Sequence, residues 1–144
     1  MKLYLDNCCF NRPFDDQSQL RIRLETEAKL KIQELICSKS YNLTWSYILD
    51  YENNQNPFKE RKEQISKWRT HAFEDIVENQ SIINEALKFN KSGFKKFDSL
   101  HLACAVYAKV DYFLTTDDFI IKKASLINNI CITDPIGFIK EVLL

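Results

Sequence analysis

The chain has 144 residues, 45% hydrophobic and 12% aromatic, which is enough apolar material for one packed domain and too much for a disordered segment. Its 20 basic residues balance its 20 acidic ones at a formal net charge of +0, so any nucleic-acid role must rest on local patches. Only Gly93 and Gly137 are glycines, which excludes the Gly-rich phosphate cradles of Rossmann and P-loop proteins.

Cys8, Cys9, Cys37, Cys104 and Cys131 form no C-x-x-C pair and, with two histidines, no zinc pattern. They are expected to be reduced and mostly buried. Met1–Leu5 runs straight into Asp6, so no secretory hydrophobic region opens the chain. No apolar run reaches the roughly 20 residues of a membrane span, and a cytoplasmic, non-membrane protein is expected.

Lys2-Leu3-Tyr4-Leu5 is β-prone and reads as a first strand ending at Asp6. Residues 6–17, with Pro13 and several turn formers, read as a long loop. Ser18 is a plausible cap for a helix to about Ser38, with Leu20, Leu24, Ala28, Ile32, Leu35 and Ile36 at helical spacing. Asn42–Trp45 reads as a short strand, and Ser46 as the cap of a brief helix through Glu52. Asn56-Pro57 is a helix-start signal, and the helix that follows is expected to bury Phe58, Ile65, Trp68 and Ala72. Ser81 is the expected cap of the next, with Ile82, Ile83, Ala86 and Leu87 inward and Gly93 at its stop. Phe97–Ala108 is apolar nearly all round and predicts a helix buried between layers. Tyr112–Thr115 and Ile130–Thr133 read as strands, and Pro135 starts a terminal helix.

Strands alternating with helices predict a single α/β domain over 1–144, a three-layer α/β/α sandwich with a central parallel sheet of four to five strands. In such a sheet Asp6 and Asp117 both fall at the carboxyl edge, where ligands of open α/β folds bind. Asp98 lies in the first turn of the buried helix and Glu52 ends the helix after the second strand. A single acid at such a hinge is ordinarily a cap or turn residue. Four acids at equivalent hinges are harder to explain that way. Clustered carboxylates repel, and a hard divalent cation such as Mg²⁺ or Mn²⁺ resolves the conflict. An open site of that kind suits phosphodiester chemistry.

The opening "KLYLDNCCFNRPFDDQ", the segment "SYILDYENNQNP" and above all "FDSLHLACAVYAKVDYFLTTDDFI" resemble a PIN-domain protein over nearly the whole chain. The resemblance implies a metal-dependent ribonuclease in which Asp6, Glu52, Asp98 and Asp117 hold Mg²⁺ or Mn²⁺, with Asp118 as an alternate fourth ligand. Many such bacterial domains are toxins of the VapC type, so an antitoxin partner and a homodimer are implied as well, with RNA as substrate. The chain departs from the family pattern at Asn7, where Thr or Ser is common, and in the length of its 6–17 segment. Asn7 retains the capacity to hydrogen-bond a water or a phosphate.

Other residues invite sharper readings. His101, one turn after Asp98, suggests a general base, or more simply a residue that orients the Asp98 carboxylate. Arg12 is suited to clamp a phosphate or to pair with Asp15 or Asp16. Lys88, Lys91, Lys95 and Lys96 would track an RNA backbone or merely solvate a helix end. Trp45, Trp68 and the ten phenylalanines read as core. Two rival readings are a catalytically silent domain that binds RNA or protein, and a haloacid-dehalogenase-type phosphatase. The phosphatase chemistry wants a second Asp two residues after the first, where this chain has Cys8.

Overall fold

The computed structural model describes residues 1–144. Strands β1 (Lys2–Leu5), β2 (Asn42–Ser46), β3 (Ala72–Ile76), β4 (Tyr112–Leu114) and β5 (Cys131–Thr133) form one sheet of order β3-β2-β1-β4-β5. All four pairings are parallel, with Tyr4 of β1 opposite both Thr44 and Phe113. The chain steps outward from β1 through β2 to β3, then returns to lay β4 and β5 on the other side. The order therefore reverses between β1 and β4, which makes the carboxyl ends of those two strands the topological switch point.

The helices are α1 (Asn7–Asn11), α2 (Leu20–Cys37), α3 (Tyr47–Asn54), α4 (Lys59–Ser66), α5 (Gln80–Lys91), α6 (Lys96–Ala108), α7 (Asp118–Lys122) and α8 (Pro135–Phe138). Packing of α6 against α3 and α5, and of α2 against α8, gives two helix groups that flank the sheet. This is the three-layer α/β/α architecture with a parallel sheet of five strands. Leu3, Tyr4 and Leu5 are buried because the central strand is covered on both faces. Leu102, Ala103, Cys104 and Ala105 of α6 are buried, as an all-apolar helix requires. No helix is long and apolar enough to cross a membrane.

Several local expectations are corrected. The 6–17 segment is not a loop: α1 follows Asp6 directly and a 3₁₀ turn spans Arg12–Phe14. Two short turns of helix leave no periodic signature. The helix after Asn56 starts at Lys59 and gives way to a 3₁₀ turn over Lys67–His71, and Ala72 belongs to the unforeseen strand β3. That strand lies at the sheet edge and carries Glu74, bonded to Thr44, and Asp75, paired with Arg69; edge strands tolerate such charge, which hides the alternation. Asn79, not Ser81, caps α5 by accepting from the Ile82 N–H at 3.0 Å. Gln19 precedes α2 without a side-chain cap, while Ser18 turns back to Asp16. Ser46 does cap α3, accepting from the Leu49 N–H, and Gly93 follows α5 at φ +104, a conformation that favours glycine.

Burial corrects others. Leu20, Leu24, Phe58 and Leu87 are exposed. The inward face of α2 is Glu25, Thr26, Lys29, Ile32 and Ile36, so two charged residues occupy positions that a hydrophobic count reads as surface. Phe14, Phe73 and Phe119 are exposed too, and the phenylalanines are not all core. Cys9 and Cys104 are buried, Cys8 is half-buried, and Cys37 and Cys131 are exposed.

Candidate metal centre

Asp6 leaves β1 at the switch point. Its backbone N–H donates to the Leu114 carbonyl of β4 at 2.8 Å, which continues the sheet by one bond. Its side chain is buried, with Oδ1 accepting from the Asn7 N–H at 2.8 Å and Oδ2 from the Thr115 hydroxyl at 2.8 Å. Thr115 Oγ1 in turn accepts from the Asp117 N–H at 3.1 Å. One buried hydroxyl thus ties the first acid to the backbone of the fourth. Asp117 caps α7, accepting from the Phe119 N–H at 2.8 Å and from Ile120 at 3.3 Å.

His101 enters from α6, fully buried. Its Nε2 contacts Glu52 Oε1 on α3 and lies 3.8 Å from Asp6 Oδ1. Its Nδ1 shares a hydrogen bond of 2.5 Å with the Tyr4 hydroxyl, which meets Ser46 Oγ at 2.7 Å. The chain Ser46–Tyr4–His101–Glu52 fixes the ring by both nitrogens. His101 therefore bonds Glu52 and Tyr4 and not Asp98, contrary to the expectation from helical spacing. Ligand atoms of Asp6, Glu52 and His101 all lie within 4.8 Å of one another.

Asp98, half-buried in the first turn of α6, feels the same group. Burial raises its pKa first, and Asp6, Asp117 and Glu52 raise it further against the opposing charge of His101, to about 6. Burial also raises Asp6, against His101 and the Thr115 hydrogen bond. For His101, burial works downward, but the Glu52 hydrogen bond and the charges of Asp6, Glu52 and Asp98 prevail and raise it. Asp98 thus feels three other carboxylates and one imidazole. Asp6 and Glu52 share the compact cluster with His101; Asp98 and Asp117 act on it electrostatically from α6 and from the loop after β4.

The remaining sequence candidates lie elsewhere. Asp118 is exposed and makes a bidentate pair with Arg21. Arg12 pairs with Asp15 at 3.1 Å and with buried Glu25 at 3.2 Å, so its guanidinium serves the α1–α2 connection. Asn7 lines a groove of about 330 Å³ with Glu52, Asn11, Asn56, Arg61 and Phe97. Its Oδ1 is buried with no hydrogen-bond partner. Lys88, Lys91, Lys95 and Lys96 are exposed. As parts of this site Thr115 and Tyr4 escaped sequence reasoning, and Ser46 was read only as a helix cap: a strand-end Thr two residues before Asp117 was the one available signal, and Tyr4 read as an ordinary strand residue.

The donor set suits a hard cation. Asp6, Asp117 and Glu52 raise the pKa of Asp98, and Mg²⁺ or Mn²⁺ bound among them would relieve that repulsion.

No protein-family model matches the chain, and no curated protein does. Among solved structures it is similar to a chain in the crystal structure of VapBC2 from Rickettsia felis bound to a DNA fragment from their promoter. The TM-score is 0.57 at 14% identity, over 93% of this chain and 98% of that one. At that identity the likeness is one of fold, and it agrees with a PIN-like α/β/α sandwich.

Proposed function

We propose that residues 1–144 form a single PIN-like domain acting as a Mg²⁺- or Mn²⁺-dependent ribonuclease. The observation that carries this reading is the cluster of Asp6, Glu52 and His101, with Asp98 and Asp117 near enough for Asp98 to feel the other acids. Asp6, Glu52, Asp98 and Asp117 would hold the cation, which supplies Lewis acidity toward water and phosphoryl oxygens. Thr115 holds the Asp6 carboxylate in place, and Tyr4 holds His101. His101 Nε2 bonds Glu52 and lies 3.8 Å from Asp6, beside both carboxylates. Asn7 lines the adjoining groove, where its amide would hydrogen-bond a ribose hydroxyl or a water after rotation of the side chain. No protein nucleophile with a partnered base is required.

The likeness to a VapBC2 chain supports a further reading as the toxin of a type II toxin–antitoxin pair, cytoplasmic, homodimeric and restrained by an antitoxin. The buried His101 supports one alternative, because an imidazolium on Glu52 balances part of the acidic charge without metal. On that reading the domain is catalytically silent and binds RNA or a protein partner.

Incubation with a mixed cellular RNA pool and Mn²⁺ or Mg²⁺ separates the two. Cleavage that is lost with EDTA and with Asp98→Asn is expected. Intact RNA with protein that still binds the metal would favour the silent domain.

A further inference from the structure

A second cavity, of about 360 Å³, lies between α2, the Arg12–Phe14 turn and the Lys67–His71 turn. Neither Asp6 nor Glu52 lines it. Its walls include Phe10, Phe14 and Trp68, with Lys67 and His71 as further basic groups and no acid at all. At its back is Lys29, whose side chain is 2% exposed. The ammonium sits over the Phe10 ring at 5.1 Å and the Trp68 ring at 5.0 Å. Its one hydrogen-bond acceptor is the neutral amide oxygen of Gln33. Buried ammonium groups are ordinarily paired with a carboxylate, and this one is not. Burial accordingly pushes its pKa down to about 8.

The aromatic faces stabilise a cation only in part, and two N–H bonds remain for an acceptor that the protein does not supply. The cavity volume falls in the range of small-molecule pockets. Because Lys29 is the single buried charge, one negative charge on the ligand balances it; a dianion would leave the excess desolvated. Lys67 and His71 belong to the turn at the cavity's edge. We propose that this cavity binds a small organic monocarboxylate with a flat apolar body, its carboxylate on Lys29 and its body against Phe14 and Trp68.

Benzoate is the probe, with its neutral isostere benzamide and inorganic phosphate as controls. Binding to the full chain is read by thermal denaturation and by the NMR shift of the Trp68 indole. Benzoate is expected to raise the melting temperature with concentration and to move the Trp68 signal saturably. Benzamide is expected to bind at least about tenfold more weakly, since it lacks the charge-assisted bond. Lys29→Met, which keeps the apolar stem, is expected to fold and to lose the response. No saturable response to benzoate would overturn the proposal. Equal binding of benzamide, equal binding by Lys29→Met, or a response to phosphate alone would do the same. The benzoate–benzamide comparison on wild-type protein decides the matter even if Lys29→Met is misfolded.

Discussion

Two groups of charge behave in opposite ways in this molecule. Around α2, Glu25 is buried but flanked by Arg12 at 3.2 Å and Arg21 at 3.5 Å, and Arg21 also reaches Asp118. Each acid there has a guanidinium. At the carboxyl edge of β1 and β4, Asp6 and Glu52 gather around His101, and Asp98 feels both of them and Asp117. Both groups bring charge out of water, and burial raises Glu25 as it raises Asp6 and Asp98, but only the first has guanidinium groups set against its acids. The α2 network holds the N-terminal segment to the body. The second group carries a repulsion on Asp98 that a bound cation would relieve, and this supports the proposed metal centre.

Breaking each group should expose the difference. The largest effect is expected at the acids: Asp6→Asn should reduce divalent-metal affinity by more than about 100-fold, beyond the roughly 10–100-fold typical of partners that merely orient a ligand. Mn²⁺ titration calorimetry checks it. In the balanced network, Arg12→Met leaves Glu25 buried with one partner fewer and should destabilise the fold by about 3 kcal/mol, measured by urea unfolding. Thr115→Val, nearly isosteric, removes the hydroxyl that positions Asp6 and should weaken metal binding by about 10–100-fold with little loss of secondary structure by circular dichroism.

The fourth effect has the opposite sign. Asp98→Asn should stabilise the metal-free protein at pH 7 by about 1 kcal/mol, a value reduced for solvent screening of a half-buried group. The pH dependence follows from the same shift. Between the ordinary carboxyl value of 3.8 and about 6, the folded protein keeps an Asp98 proton that the unfolded chain has released. That contribution to stability is full below the unfolded value and is lost as pH rises through about 6. Unfolding of wild type and Asp98→Asn across pH 4 to 7 should converge at the acid end, the smallest effect of the set.

The same contrast explains what the sequence disclosed. Long-range periodicity and β-prone runs placed β1, β2, β4 and α6, and hence the hinges at which Asp6, Glu52, Asp98 and Asp117 stand. Strand β3 stayed hidden because Glu74 and Asp75 break its alternation, and α1 because five residues carry no period. The inward face of α2 was misplaced because Glu25 and Lys29 occupy it, and a hydrophobic count assigns charged residues to water. The acids were visible as single positions, but their mutual arrangement was not. That His101 would bond Glu52, 49 residues away, and Tyr4 depends on how α3 and β1 pack on α6, which no local pattern encodes.

The most direct test of the central claim is Mn²⁺ binding to the wild-type protein and to Asp98→Asn, followed by electron paramagnetic resonance at neutral pH. Saturable binding by wild type, competed by Mg²⁺ and strongly weakened in the variant, is the predicted result. Free Mn²⁺ at every protein concentration, or equal binding by the two proteins, would contradict a carboxylate-built metal centre.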